Sequence, residues 1–490
     1  MEKNSLIMQY FEWYLPNDGQ HWKRLADDAE HLSQIGVNNV WFPPVFKATS
    51  TDDVGYGIYD LWDLGEFDQK GDTRTKYGNK EELLEAIKVL KEKGIRPIAD
   101  IVLNHKANAD GKEKFKVLKM DPNNRQQSIS EPYDIEAWTH FNFPGRKKAY
   151  NDFEWHWYHF SGIDYDAGND EMGIYMILGD NKGWADNEVV DNEYGNYDYL
   201  MFVDVDFNHP EVVDHLKEWS SWFVKETGFE GFRLDAIKHI DLTFISEFIE
   251  TLISEFGPEF FVFGEYWNPD FTANMEYLAS IDYEFDLFDV SLHMNLYEAS
   301  KSGNSYDMRT IFDNTLVKDN PMVAVTFVNN HDTQSGQSLQ SPVENWFIQH
   351  AYALILLRMG GIPTLFYGDY YGEGYGDHPD AFQEQLDPLL HLRLHYAYGD
   401  QVDYFDHGNT IGWTRLGTDE HPEGLAVVIT NGEEGFKSMS MGSLNAHKRF
   451  VDFLGNHDAV IELDENGNAN FPVRAGSVSV WVSQESVSNN

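Results

Sequence analysis

Cysteine, positive charge and long apolar runs are all scarce or absent in this 490-residue sequence. Without cysteine, the chain forms no disulfide and has no thiol chemistry. Lysine and arginine number 36 against 82 acidic residues, and a net charge of −46 would repel nucleic acid and anionic lipid. No run of about 18 apolar residues is present, so we expect no membrane-spanning helix. The composition thus predicts no nucleic-acid or membrane partner, and we expect a monomer.

The first ten residues predict where the protein resides. They run directly into a strand pattern and lack the apolar core of a signal peptide. The prediction is therefore a cytoplasmic protein, the alternative being a secreted protein whose signal peptide has been removed.

Apolar runs alternate with amphipathic helical patterns over most of the chain. Such alternation is typical of parallel sheets, and eight strands with intervening helices predict a closed (β/α)₈ barrel, also called a TIM barrel. The predicted strands lie near residues 6–13, 37–45, 95–103, 229–235, 260–265, 285–290, 323–328 and 363–367.

Two segments depart from this rhythm. Residues 106 to about 208 are polar, rich in Gly, Asn and Asp, and too long for a loop, which indicates a small β-rich domain inserted after the third strand. After about residue 396, short alternating strands predict an antiparallel β-sandwich. We therefore expect a barrel of residues 1–104 and 209–396, an inserted domain of residues 105–208, and a C-terminal domain of residues 397–490.

Charged and polar residues collect where four of the predicted strands end. In such barrels the active site lies at the carboxyl ends of the strands. A structural ion pair would explain one such residue, but not the same placement on four strands. The residues are Asp100, Asn104 and His105 after strand three, Arg233 and Asp235 after strand four, Glu265 after strand five, and His331 and Asp332 after strand seven.

These residue types favour glycoside hydrolysis. The sequence has neither a glycine-rich phosphate fingerprint after an early strand nor a Gly-x-Ser-x-Gly elbow. Hydrolysis of a glycoside needs one protonated and one ionised carboxyl group. Glu265 follows an apolar strand, which favours its protonated form, so we expect it to be the acid/base. Asp235 lies two residues after Arg233, on the same side of the strand, and is the expected nucleophile.

Four motifs, in order, resemble those of the alpha-amylase family of glycoside hydrolases. They are Asp100-Ile-Val-Leu-Asn-His105, Gly231-Phe-Arg-Leu-Asp-Ala-Ile-Lys-His239, Gly264-Glu-Tyr-Trp267 and Phe327-Val-Asn-Asn-His-Asp332. Further matches lie at residues 8–14, 53–57 and 195–200, so the resemblance covers nearly the whole chain. It is strongest to bacterial liquefying-type and cytoplasmic members.

The resemblance implies a retaining endo-hydrolase of α-1,4-glucosidic bonds in starch, glycogen or maltodextrins. Asp235 would form the glycosyl-enzyme intermediate, Glu265 would protonate the leaving oxygen, and Asp332 would hold the distorted sugar. The residues implied to contact the substrate are Tyr56, Asp100, His105, Arg233, Lys238, His239, Trp267 and His331.

The resemblance also implies one Ca²⁺, bound by the side chains of Asn104, Asp198 and Asp204 and by the backbone carbonyl of His239. We do not expect the further ions of secreted relatives. Ser161 replaces an Asp ligand, and the region of Asp186 and Asn187 aligns only with a one-residue shift, although Asp206 remains. Asn409 and Asn431 replace Asp ligands of another site, and Asn329 replaces an acidic residue that is common before Asn330-His331-Asp332.

Three alternatives stay open. The same three carboxylates serve a maltooligosaccharide-forming or transglycosylating enzyme. A glucan-binding protein without activity would be expected to lack one of them, and none is missing. A metal-dependent hydrolase would be expected to pair its histidines at ligand spacing, whereas His105, His239 and His331 stand singly.

Overall fold

Eight short parallel strands close into a barrel in the computed structural model, which describes residues 4–281, 285–374 and 381–488. Each strand pairs with its neighbours in chain order, and the first pairs with both the second and the last. The predicted (β/α)₈ barrel is confirmed. The strands are β1 (Ile7–Gln9), β2 (Asn39–Trp41), β3 (Arg96–Ile101), β4 (Gly231–Leu234), β5 (Phe261–Gly264), β6 (Asp286–Phe288), β7 (Ala324–Phe327) and β8 (Ile362–Phe366).

The first two strands are shorter than the apolar runs that predicted them. Tyr10, Phe11, Phe42 and Val45 are buried, yet they lie beyond the paired residues of β1 and β2. An apolar run therefore marks burial, and burial continues into the segments that cover the carboxyl end of the barrel.

Helices surround the barrel and follow its strands along the chain. The one after β2 begins with a capping box, in which Asn79 accepts from the Glu82 amide and Glu82 accepts from the Asn79 amide. Within the described residues, no helix is both long and apolar enough to cross a membrane. The α-helices are His21–Gln34, Lys80–Glu92, Pro210–Thr227, Leu242–Phe256, Phe271–Ala279, Val290–Ser302, Leu316–Asp319, Ile348–Leu356, Tyr367–Tyr371, Gln383–His395 and Gln484–Ser488.

The segment after β3 forms an antiparallel sheet of seven strands, as the prediction of a β-rich insertion requires. Its first strand pairs with its last, so the chain leaves the barrel and returns to it at nearly the same place. The strands are His105–Lys106, Gly111–Asp121, Asn124–Ser128, Tyr133–His140, Phe160–Asp166, Glu171–Ile177 and Val203–Val205.

The C-terminal segment contains a six-stranded sheet facing a two-stranded one, which confirms the predicted sandwich. Its strand Leu425–Thr430 is buried on both faces. Leu425 and Val427 join the apolar core of the barrel, whereas Ala426 and Val428 belong to the core of the sandwich. The strands are Gln401–Tyr404, Thr410–Arg415, Leu425–Thr430, Gly435–Ser440, Arg449–Asp452, Val460–Glu462, Asn468–Val473 and Val478–Ser483. The exact limits of the three domains stay predictions.

Candidate active site

The guanidinium of Arg233 lies at the centre of the polar cluster at the barrel mouth. Along β4, Phe232 points outward to the aromatic side chains of the helices, and Arg233 points inward and is completely buried. Its Nη1 donates to Asp100 Oδ1 at 2.9 Å and to Asp235 Oδ1 at 2.6 Å, and its Nη2 donates to Glu265 Oε2. Three carboxylates thus share one cation.

Strand register brings these groups together. Arg233 pairs with Asp100 on β3 and with Phe263 on β5. Because side chains on one face recur every two residues, Asp235 and Glu265 follow one step further along the same inner face. Gly264 lies where a Cβ atom would come within 2.5 Å of Ile237 and Phe285, so the chain before Glu265 packs too tightly for any side chain.

The charge balance of this cluster shifts the pKa of each group. Burial alone would lower the pKa of Arg233, but the charges of Asp100, Glu265 and Asp235 outweigh it and raise the pKa well above its ordinary value. Burial raises the pKa of Glu265 well above its ordinary value, against the charge of Arg233 and with that of Asp235. For Asp100, burial raises the pKa to about 6 although Arg233 opposes it. Glu265 is therefore the carboxyl group best placed to keep a proton.

Asp332 follows β7 and approaches the same cluster. Its backbone amide donates to Asn330 Oδ1 at 2.9 Å, and burial raises its pKa to about 7 against the charge of Arg233. His331 Nε2 lies 3.2 Å from Asp332 Oδ2. Gln9 Nε2 donates to His331 Nδ1 at 3.0 Å, which leaves the proton of this neutral ring on Nε2, facing Asp332.

Tyr56 contributes a flat aromatic wall. Its hydroxyl donates to Asp100 Oδ2 at 2.9 Å, and its ring is nearly parallel to those of His331, at 5.0 Å, and Trp13, at 6.0 Å. His105 Nε2 donates to the Tyr56 carbonyl at 2.8 Å and so fixes the loop. Trp13 was not among the predicted substrate contacts, although it lies within the matching segment of residues 8–14.

Lys238, His239 and Trp267 lie on the turns after β4 and β5, against a loop of the inserted domain. Lys238 Nζ bonds Glu193 Oε2 at 2.5 Å and the Trp267 carbonyl at 3.3 Å. His239 Nδ1 donates to the Tyr197 carbonyl at 2.7 Å. Glu193 was also missed by the sequence reasoning, because it follows no strand and belongs to no quoted motif.

Three of the predicted calcium ligands, the side chains of Asn104, Asp198 and Asp204, lie close together where the inserted domain meets the barrel. Asn104 Nδ2 is 3.4 Å from Asp204 Oδ1, and Ser161 Oγ donates to Asp204 Oδ2 at 2.5 Å. Burial raises the pKa of Asp198 to about 7 and that of Asp204 well above its ordinary value, and each is raised further by neighbouring carboxylates. The buried Oδ1 of Asn104 accepts no hydrogen bond from the described residues. Two crowded carboxylates and a free amide oxygen fit a hard cation.

At the positions where secreted relatives are expected to bind further ions, the side chains bond other groups of this chain. Lys182 Nζ donates to Asp206 Oδ2, and both side chains are buried. Asn409 Nδ2 donates to Asn431 Oδ1 at 2.9 Å, and Asn431 Nδ2 donates to the carbonyls of Gly303 and Tyr306. Asp206, Asn409 and Asn431 therefore have hydrogen-bond partners within the protein itself.

Comparison with known proteins places the chain in a family. The family model of the alpha amylase catalytic domain matches residues 17–384. An alpha-amylase of Geobacillus stearothermophilus is 49% identical, and the match covers 98% of this chain and 87% of that protein. A glucan 1,4-alpha-maltohexaosidase of Bacillus sp. (strain 707) is 48% identical, and the match covers 98% of this chain and 93% of that protein. The cytoplasmic alpha-amylase of Escherichia coli (strain K12) is 44% identical over 99% of both chains.

Solved structures agree on the fold. The alpha-amylase of Geobacillus thermoleovorans, solved with acarbose, superposes with a TM-score of 0.65 at 19% identity and covers 98% of both chains. By its family match, its relatives and its fold, this chain belongs to the alpha-amylase family of glycoside hydrolases.

Proposed function

We propose that this alpha-amylase family enzyme hydrolyses internal α-1,4-glucosidic bonds of glucans with retention of anomeric configuration. The observation that carries the proposal is the sharing of one buried guanidinium by Asp235 and Glu265. Retaining hydrolases need their two carboxyl groups about 5 Å apart, and the shared guanidinium holds Asp235 and Glu265 close together at the barrel mouth.

In the first step, Glu265 donates its proton to the glycosidic oxygen while a carboxylate oxygen of Asp235 attacks the anomeric carbon. The bond from that carbon to the glycosidic oxygen breaks, and the leaving sugar departs with the proton. Arg233 Nη1 donates to Asp235 Oδ1 at 2.6 Å and so holds the attacking carboxylate in place. Burial raises the pKa of Glu265, which favours the protonated form that the first step needs.

In the second step, the ionised Glu265 takes a proton from water, whose oxygen attacks the anomeric carbon and displaces Asp235. Two inversions give net retention. Asp332 and His331 would bind hydroxyls of the distorted sugar, with Asp100 and His105 completing the subsite. Tyr56 would stack on the ring of that sugar, and Lys238, His239 and Trp267 would contact the sugars on the leaving side.

Neutral variants of the two carboxylates test these roles. Asp235→Asn and Glu265→Gln should each lower kcat by about three orders of magnitude or more, because each removes a group that acts on the reacting atoms. Glu259→Gln, an exposed change just before β5, is the matched control and should keep full activity. Calorimetry of all three variants checks that they fold. Near-normal activity of a folded Glu265→Gln would show that another group is the acid.

The stereochemistry of the first product tests the two-step reaction. Proton NMR of fresh hydrolysate should show the α-anomer before mutarotation produces the β-anomer. The expectation follows from the shared guanidinium, because it holds the two carboxyl groups close together, as attack by the Asp235 carboxylate requires. Initial appearance of the β-anomer would mean direct attack by water and a wider separation of the carboxyl groups.

We also infer that one Ca²⁺ binds Asn104, Asp198, Asp204 and the backbone carbonyl of His239. Bound there, the ion would neutralise two buried carboxylates and tie the inserted domain to the turn after β4. Asp206 is already paired with Lys182, so a single divalent ion balances the charges of its two carboxylate ligands, Asp198 and Asp204. This balance supports one ion rather than a cluster.

The calcium proposal predicts a pH-dependent effect of calcium removal. Without the ion, the pKa of Asp198 is about 7 in the folded chain and near its ordinary value when unfolded. The calcium-free protein should therefore lose stability as the pH rises from about 4 to 7, because the unfolded chain releases this proton first. Calcium should raise the melting temperature more at pH 8 than at pH 5, as measured by calorimetry with and without the ion.

In that experiment the carboxyl groups of the barrel mouth titrate both with and without calcium. The difference in melting temperature between the two conditions therefore reports on the metal site. Asp198→Asn removes one of the crowded charges and should shrink the calcium effect, whereas Glu259→Gln should leave it unchanged. An equal calcium effect at both pH values would contradict the proposed ligands.

A second candidate is an enzyme that releases maltooligosaccharides of one length, and the 48% identity to a maltohexaosidase supports it. Chromatography of early digests of long amylose separates the two activities. The endo-hydrolase should give a broad range of lengths and a rapid loss of viscosity. A single dominant length from the first minutes would favour the second candidate.

The location in the cell also stays a proposal. We infer a cytoplasmic enzyme acting on maltodextrin or glycogen, with support from the 44% identity to a cytoplasmic relative over 99% of both chains.

A further inference from the structure

The inserted domain carries two histidines and a glutamate that face one another, and none of the three is a predicted calcium ligand. One ring nitrogen of His140, one of His156 and a carboxylate oxygen of Glu154 all lie within 4.8 Å of each other. His140 Nε2 is 3.1 Å from Glu154 Oε2. The two imidazole rings are nearly parallel, with centroids 4.6 Å apart.

Rigid backbone holds these three side chains. Phe141 and Trp155 exchange two backbone hydrogen bonds of 3.0 Å, and both side chains are buried. His140 and His156 are the residues next to this antiparallel bridge, on its two opposite segments, so they face each other directly. The buried aromatic pair therefore fixes the positions from which the imidazoles project.

A carboxylate orients the second imidazole. Glu113 Oε1 accepts from His156 Nδ1 at 2.9 Å, and Glu113 Oε2 accepts from Thr139 Oγ at 2.7 Å and from the Trp157 amide at 2.8 Å. With the proton on Nδ1, the Nε2 atom of His156 keeps a free lone pair. A carboxylate behind a histidine is the usual support of a metal ligand, because it sets the tautomer and raises the basicity of the ring.

We propose that His140, Glu154 and His156 bind one divalent transition-metal ion with the preferences of Zn²⁺, a water molecule being the fourth ligand. Two imidazoles and one carboxylate are a common zinc ligand set, and imidazole nitrogens favour such ions over calcium. Tetrahedral bonds of about 2.0–2.1 Å would draw the ligand atoms to about 3.3 Å from each other. The side chains are 27–35% exposed and have room for that movement.

Neighbouring groups favour this cluster over its rivals. His159, His209 and Glu211 also lie close together, but the His156 amide donates to His159 Nδ1 at 3.0 Å. The proton of that neutral ring must then be on Nε2, the atom 3.2 Å from Glu211, so His159 offers no lone pair there. His391 and His395 face each other across one helical turn, without a third ligand among the described residues. Lys148 Nζ, 3.8 Å from Glu154, is mostly exposed and free to withdraw.

The proposed ion would join the end of strand Tyr133–His140 to the segment that precedes His159. It would stabilise the inserted domain and have no part in bond cleavage. The site is therefore independent of the catalytic proposal, and either can fail without the other.

Titration of the untagged protein with ZnCl₂, in buffer with excess calcium, tests the proposal. Calorimetry should show one equivalent bound and a higher melting temperature with zinc, and Co²⁺ should give the intense visible bands of a tetrahedral site. His156→Gln and Glu154→Gln should each weaken binding at least about 10-fold and abolish the rise in melting temperature. The matched controls His209→Gln and His391→Gln should bind as the unmodified chain does.

The Glu113→Gln variant distinguishes a preorganised zinc site from nonspecific adsorption of zinc to surface histidines. It leaves all three ligands in place, yet it should weaken zinc binding about 10–100-fold, as loss of a supporting carboxylate does elsewhere. Melting temperatures measured without zinc show whether each variant folds. The proposal is overturned if the unmodified chain binds no zinc, if His140→Gln/His156→Gln still binds it, or if His209→Gln or His391→Gln loses it. Unchanged affinity of Glu113→Gln would remove the role assigned to that residue.

Discussion

One buried positive charge sets the chemistry of this molecule. Arg233 is completely buried and bonds Asp100, Asp235 and Glu265, so the cluster carries two more carboxylates than cations. Ionising all three groups in a site of low dielectric would be unfavourable. The carboxyl groups must therefore differ in protonation, and burial raises the pKa of Glu265 most clearly. A division into acid and nucleophile, which hydrolysis requires, follows from this imbalance of charge.

The turn after β4 links this cluster to the inserted domain. Ala236 lies in the left-handed region at φ 50°, a conformation that costs a residue with a side chain about 1–2 kcal/mol. It reverses the chain, so that Lys238 bonds Glu193 and His239 bonds the Tyr197 carbonyl within four residues of Asp235. The strain is retained because this one turn connects β4 with the loop that carries Asp198.

Much of the fold could be predicted from the sequence, because buried parallel strands are apolar runs bounded by helices of regular period. The eight barrel strands were found in this way, and polar residues at their ends marked Arg233, Glu265 and Asp332. Contacts that depend on long-range pairing could not be predicted from periodicity. The bond from Arg233 to Glu265 depends on register between β4 and β5, and the pairing of His105–Lys106 with Val203–Val205 joins residues about 100 positions apart. Trp13 and Glu193 were missed for the same reason, since only tertiary contacts bring them to the mouth.

The two buried acidic clusters meet the same physical difficulty in different ways. At the barrel mouth the balancing positive charge is the side chain of Arg233, which cannot dissociate. The carboxyl groups there must change protonation while their positions stay fixed, and a permanently attached charge allows this. Beside the inserted domain, Lys182 balances only Asp206, and Asp198 and Asp204 are left with raised pKa values and no ion-pair partner among the described residues. A cation that binds reversibly suits that second place, where the role proposed for the carboxylates is to hold the inserted segment against the barrel. An arginine suits the first, because an exchangeable ion would alter the proton affinity of Glu265 whenever it left.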